Sequence, residues 1–250
     1  MDYSELMEAY REEMVQTLQS LVAIKSVAEP PVESDKEGLL PFGKGVHEAF
    51  KYMLGKAAAD GFSIQNVDNY GGHIEFGSGE KIMGILGHLD VVPEGEGWAF
   101  APYTAVVSEG KLYGRGTADD KGPVVAAYYA MKALKDVGFA PAARVRLILG
   151  LDEETDWHGM KYYLDKEQAP DFGFTPDAEF PAIHGEKGIL IFELAKKLGK
   201  SNVAGLELRS LEGGNAANMV ADWARAVVRS EDTAVYTHIK EAAARYREER

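Results

Sequence analysis

One apolar stretch carries a histidine and an aspartate at its end: Ile82-Met83-Gly84-Ile85-Leu86-Gly87-His88-Leu89-Asp90-Val91-Val92-Pro93. A short apolar run of this kind predicts a buried strand. Because side chains alternate faces along a strand, His88 and Asp90 project to the same side if the extended conformation continues that far. This geometry suits a metal-binding imidazole whose other ring nitrogen is held by a carboxylate. The alternative is a solvated loop histidine beside a turn aspartate, and this motif alone favours that alternative.

Three further stretches place acidic residues just after a predicted strand. They are residues 112–123 with Asp119 and Asp120, residues 144–155 with Asp152, Glu153 and Glu154, and residues 172–179 with Asp177. A helix N-cap explains one aspartate, but three consecutive carboxylates repel one another unless a cation compensates. Since ligands of open α/β sheets bind outside the carboxyl ends of the strands, the four strand ends are expected to converge. One histidine with several carboxylates suits Zn²⁺, Mn²⁺ or Co²⁺ in a hydrolytic site.

Composition limits the possible partners. The 250 residues carry 40 acidic and 27 basic side chains, a formal net charge of -13, which disfavours nucleic acid as a ligand. Cysteine is absent, so a metal would be held by histidine and carboxylate. The N-terminus has no signal-peptide pattern, and no apolar run reaches the roughly 18 residues that a membrane span needs. A soluble cytoplasmic protein without membrane association is expected.

Periodicity predicts alternating helices and strands, and therefore an α/β fold. The predicted helices are residues 4–24, 46–59, 124–136, 158–166 and 232–249. Besides the acid-bearing strands, residues 62–67, 73–76, 188–194 and 205–209 are predicted strands. Residues 28–45, with three prolines, are predicted to be an irregular connection. Local sequence leaves residues 220–228 between strand and helix.

The acidic motifs together resemble a known family. They are His88-Leu89-Asp90, Gly114-Arg115-Gly116 with Asp119-Asp120-Lys121-Gly122-Pro123, Asp152-Glu153-Glu154-Thr155, and Pro176-Asp177-Ala178-Glu179-Phe180-Pro181. In order and spacing they are similar to those of the dinuclear zinc exopeptidases, which include carnosinases, succinyl-diaminopimelate desuccinylase and carboxypeptidase G. The strongest likeness is to bacterial PepV-type dipeptidases, and it runs through nearly the whole chain.

The resemblance implies a three-layer α/β/α catalytic domain, whose N-terminal part is residues 1–185, and an incomplete α+β lid domain beginning at residues 186–250. It favours a strand at residues 220–228 and implies a cis peptide between Asp119 and Asp120. It also assigns site roles: His88 and Asp177 as ligands of one metal, Asp119 as the bridge, Glu154 as a ligand of the other metal, Glu153 as general base, Asp90 as partner of His88, and Asn218 as a substrate contact.

The implied function is a metallo-dipeptidase that hydrolyses small peptides with two Zn²⁺ ions per complete site, Mn²⁺ or Co²⁺ being possible substitutes. Two alternatives are an N-acyl amino acid deacylase or desuccinylase of the same family, and a catalytically incomplete metal- or peptide-binding domain. Retention of Glu153 argues against the second, because a binding domain needs no base. Relatives continue beyond this length and supply a further histidine ligand, for which His238 in its helical pattern is a poor substitute. A truncated chain with weak activity of its own is therefore expected.

Overall fold

The computed structural model describes residues 3–179, 181–188, 190–196, 206–214, 217, 220–221 and 223–248. The chain divides into two compact units, Met1–His184 and Gly185–Arg250. The helices of the described residues are α1 Tyr3–Ala9, α2 Arg11–Val22, α3 Lys44–Ala59, α4 Lys121–Asp136, α5 His158–Lys166 and α6 Ala234–Glu248. The strands are β1 Val32–Ser34, β2 Gly38–Leu40, β3 Ser63–Val67, β4 Gly71–Phe76, β5 Ile82–His88, β6 Val106–Ser108, β7 Lys111–Tyr113, β8 Arg144–Gly150, β9 Phe172–Phe174, β10 Glu207–Gly213 and β11 Ala224–Arg229.

The first unit is built on a five-stranded mixed sheet in the order β3-β4-β8-β5-β9. Strand β4 is antiparallel to both β3 and β8, whereas β5 is parallel to both β8 and β9. The carboxyl ends of β8, β5 and β9 therefore meet at one edge of the sheet. The segments that follow these three strands carry the predicted site residues, so sheet topology alone brings those segments together.

The two faces of the sheet are covered by different helices. Leu147 and Leu149 of β8 belong to the large core cluster that contains residues of α3 and α4, such as Phe50 and Tyr128. Ile148, between them, packs instead with Met160 and Tyr163 of α5. This alternation follows from the two-residue repeat of a strand. The predicted α/β fold is confirmed, with the sheet as the middle of three layers.

The structure contains two hairpins that the sequence did not predict. The connection at residues 28–45, expected to be irregular, contains the pair β1–β2. Within the described part of the chain, strand β7 pairs only with β6, in a second hairpin, and does not join the central sheet. Only three of the four acid-bearing stretches therefore follow strands of that sheet. Asp119 reaches the same place by the loop between β7 and α4.

The second unit contains the antiparallel pair β10–β11 and helix α6. Strand β11 agrees with the expectation for residues 220–228. The predicted strand at residues 188–194 is wrong for its described residues, which have no strand conformation, and their side chains Leu190, Ile191, Phe192 and Leu194 are largely exposed. An apolar run becomes a strand only beside a partner strand, and no described strand pairs with this one. Among the described residues, no helix combines the length and apolar character that crossing a bilayer requires.

Candidate metal centre

His88, the last residue of β5, lies at the centre of the converging segments and is 2% exposed. Its Nε2 atom is 3.0 Å from Oδ1 of Asp119, 3.4 Å from Oδ2 of Asp177 and 3.8 Å from Oε2 of Glu153. These three carboxylates come from three separate segments, after β7, β9 and β8. The structure therefore gathers around one imidazole nitrogen acids that are far apart in sequence.

Two groups of possible metal ligands share this histidine. His88, Asp119 and Asp177 form one group, and His88, Glu153 and Glu154 form the other, with ligand atoms within 4.8 Å of one another in each. All four predicted ligands, together with the predicted base Glu153, thus meet in one place. Asn218, the predicted substrate contact, lies outside the described residues.

Asp120 supports the end of β5 from the start of α4. The peptide between Asp119 and Asp120 is cis, which confirms the expectation from the resemblance. The Asp120 carboxylate is fully buried, and its Oδ2 accepts a 3.0 Å hydrogen bond from the backbone N–H of His88. A Cβ added at Gly87 would lie 2.7 Å from that oxygen and 2.5 Å from Cγ2 of Val124. Glycine at position 87 therefore permits Asp120 to reach the strand.

Asp90 is fully buried, and it contacts both the Glu153–Glu154 segment and His88. Its Oδ1 accepts a hydrogen bond of 3.1 Å from the backbone N–H of Glu153, and its Oδ2 accepts one of 3.0 Å from that of Glu154. Oδ1 is 3.4 Å from Nδ1 of His88, but the backbone carbonyl oxygen of Asp90 is closer to that nitrogen, at 3.0 Å. The predicted pairing of Asp90 with His88 is thus present, and two contacts to the glutamate segment accompany it.

A buried lysine that the sequence interpretation did not single out ties α2 to the same site. Lys121 is fully buried, and its Nζ donates hydrogen bonds to the carbonyl oxygens of Leu21 and Ile24, at 3.0 and 2.8 Å. Burial lowers the pKa of Lys121 to about 7. Nearby, the Ser26 hydroxyl donates to the carbonyl of Leu89, at 2.6 Å, between His88 and Asp90 in sequence. The end of α2 and the segment after it therefore contact the start of α4 and the residue that follows β5.

The electrostatics of the site favour a cation. Burial, followed by the negative charge of Asp119, raises the pKa of Glu154 to about 7. Burial also raises the pKa of Asp177, where the charge of Asp119 adds to the effect. Burial by itself lowers the pKa of His88, but hydrogen bonds to Asp119 and Asp90 raise it to about 11. Carboxylates that are this close together and partly buried fit a divalent cation, which would relieve their mutual repulsion.

Comparisons with known proteins identify the family of the chain. Residues 84–250 match the sequence profile of peptidase family M20/M25/M40. The chain belongs to this family. The Beta-Ala-Xaa dipeptidase of Lactobacillus delbrueckii subsp. lactis, one member, is 41% identical over 233 residues, which are 93% of this chain and 49% of that protein. The chain thus spans about half the length of the curated relatives it matches.

Solved structures with the same fold include human carnosine dipeptidase 1. It matches with a TM-score of 0.59 and 26% identity, over 70% of this chain and 40% of that one. The dipeptidase Dug1p from Saccharomyces cerevisiae matches with a TM-score of 0.54 and 20% identity, over 65% and 36% of the two chains. The family expected from the acidic motifs is therefore confirmed.

Proposed function

We propose that this member of the M20/M25/M40 family acts in the metal-dependent hydrolysis of dipeptides. The observation that carries the proposal is the convergence of Asp119, Glu153 and Asp177 on Nε2 of His88, within 3.0–3.8 Å. The names of the related dipeptidases support the choice of a small peptide as substrate.

The four proposed metal ligands are all members of the two groups that share His88. His88 and Asp177 would hold one ion, Glu154 the other, and Asp119 would bridge them. Two Zn²⁺ ions are proposed for a complete site, with Mn²⁺ or Co²⁺ as substitutes, because nitrogen and oxygen ligands suit all three. Bound there, the ions would polarise the peptide carbonyl and lower the pKa of the attacking water.

Glu153 is the proposed general base. Its carboxylate is half-buried beside His88, and burial together with the charge of Asp177 raises its pKa. A raised pKa favours the uptake of a proton, which is what a general base does. It would take the proton of the attacking water and deliver it to the leaving amine. Its neighbour Glu154 is then free to remain a ligand, which explains the value of two consecutive glutamates.

We further propose that residues 1–185 form the N-terminal part of the catalytic domain and residues 186–250 the beginning of a lid. Asn218 is the proposed contact of the lid with substrate. A cytoplasmic location is proposed as well, on the composition and on dipeptides being the substrate.

The proposal is tested by adding Zn²⁺, Mn²⁺ or Co²⁺ to the purified protein, counting bound ions and assaying dipeptides beside N-acylated amino acids. Metal binding and weak hydrolysis that prefers dipeptides are the expected results. Glu153→Gln is the matched control, because it removes the base while keeping the size of the side chain. Failure to bind any of the three metals, or hydrolysis confined to the acylated amino acids, would contradict the proposal.

A further inference from the structure

Three polar groups among the described residues lie within 3.4 Å of the Asp90 carboxylate, and their distances differ. The backbone N–H groups of Glu153 and Glu154 donate to its two oxygens at 3.1 and 3.0 Å. Nδ1 of His88 is farther, 3.4 Å from Oδ1. Asp90 itself is fully buried, so water does not compete for these contacts.

The tautomer of His88 is already fixed without that carboxylate. Nδ1 lies 3.0 Å from the backbone carbonyl oxygen of Asp90, and a carbonyl oxygen can only accept a hydrogen bond. Nδ1 must therefore carry a proton, which leaves Nε2 as the ligand atom of the neutral ring. Replacing the side chain of Asp90 does not remove this backbone contact.

The backbone N–H groups of Glu153 and Glu154, in contrast, depend on the Asp90 carboxylate as their hydrogen-bond acceptor. Strands β5 and β8 are paired as far as His88 and Gly150, and the N–H of Leu89 still donates to the carbonyl of Gly150, at 3.0 Å. This is the last backbone contact described between the two segments, and beyond it the Asp90 side chain bridges them at Glu153 and Glu154. A partly buried N–H group that loses its acceptor is costly.

We propose that Asp90 is primarily a positioning residue for the Glu153–Glu154 segment, and only secondarily a partner of His88. The inference rests on the proposed function for the roles of the two glutamates. By accepting hydrogen bonds from both backbone N–H groups, the Asp90 carboxylate determines the positions of Glu153 and Glu154 relative to His88.

The test uses the Asp90→Asn variant. Hydrogen exchange of its backbone amides is measured in the metal-free chain, and its zinc affinity is measured by titration. An asparagine has one accepting oxygen, and its NH₂ group would face the other amide donor. Exchange at Glu153 or Glu154 is therefore expected to accelerate roughly ten- to hundredfold. Zinc binding at the His88 site is expected to persist, since His88 keeps its backbone contact to residue 90 and its carboxylate neighbours Asp119 and Asp177. Continued protection of Leu147–Leu149 in β8 reports an intact fold.

Asp120→Asn is the matched control. Asp120 is also a buried carboxylate, but it accepts one amide through Oδ2, and its Oδ1 has no partner among the described residues. An asparagine oxygen can keep that single bond, so exchange at Glu153 and Glu154 should stay as in the unmodified chain. His88→Ala gives a second test that does not depend on the folding of Asp90→Asn: it should lose zinc but keep both amides protected.

Unchanged exchange at both glutamates in Asp90→Asn would overturn the proposal, as would a large loss of zinc affinity without any change in exchange. Loss of protection in His88→Ala would do the same, because it would make the histidine the support of the segment. Failure of the unmodified chain to bind zinc is a different result: it contradicts the proposed function, whereas the exchange measurement on metal-free protein still reports on Asp90.

Discussion

Zinc binding at His88 should strengthen steadily as the pH rises from 6 to 9. In the metal-free chain, hydrogen bonds to Asp119 and Asp90 outweigh the effect of burial and raise the pKa of His88 to about 11. The imidazole is therefore protonated throughout this range, and zinc must displace its proton to bind Nε2. One proton released per ion makes the apparent Kd fall about tenfold, or about 1.4 kcal/mol, for each pH unit. Over three units the gain is roughly a thousandfold.

A histidine with an ordinary pKa of about 6.5 behaves differently, because its proton is already lost above pH 7 and its zinc affinity levels off there. The assay is competition against a chelator whose own zinc affinity is calibrated at each pH. Calorimetry in two buffers of different ionisation enthalpy counts the protons directly, with about one per ion expected from His88 at pH 8. His88→Ala is the control for zinc held elsewhere. A zinc affinity that is constant between pH 7.5 and 9, with no proton release, would refute the reasoning.

Two substitutions test other parts of the site, and a third, in α3, serves as a control. Glu153→Gln should lower dipeptide turnover by about 10²- to 10⁴-fold with unchanged metal content, and near-native turnover would rule out Glu153 as the base. Gly87→Ala places a Cβ 2.5 Å from Val124 and 2.7 Å from Asp120, so a loss of about 1–3 kcal/mol of stability is expected in thermal unfolding. Gly55→Ala in α3, with no atom within 4 Å of the new Cβ, should instead stabilise. Equal melting temperatures for the Gly87 variant and the unmodified chain would contradict this account.

The sequence predicts the parts of the site that depend on local pattern. The apolar run that ends at His88 forms β5, and the helix predicted at residues 158–166 begins and ends at those residues. Convergence of three of the four strand ends also follows from the sequence, because the carboxyl ends of parallel strands meet at one edge of a sheet. The fourth expectation is wrong in its reason, since β7 lies in a separate hairpin and Asp119 reaches the site by a loop.

Contacts that depend on tertiary packing could not be predicted in the same way. The sequence shows that Asp90 precedes a pair of glutamates by more than 60 residues, but only the register of β5 on β8 places its carboxylate between their amides. The local sequence around Lys121 likewise does not predict its burial. Its hydrogen-bond partners are the carbonyls of Leu21, in α2, and of Ile24, just after α2, about 100 residues earlier in the chain. The run at residues 188–194 has strand-like composition, yet its described part lacks the partner strand that this conformation requires.

The most direct test of the metal centre is a crystal structure of the protein grown with zinc, with anomalous diffraction recorded at the zinc edge. We expect an anomalous peak about 2.0–2.2 Å from Nε2 of His88 and from carboxylate oxygens of Asp119 and Asp177. Nε2 would then no longer have Asp119 as its hydrogen-bond partner at 3.0 Å. Well-ordered density for these three side chains without such a peak, at a zinc concentration well above that of the protein, would contradict it.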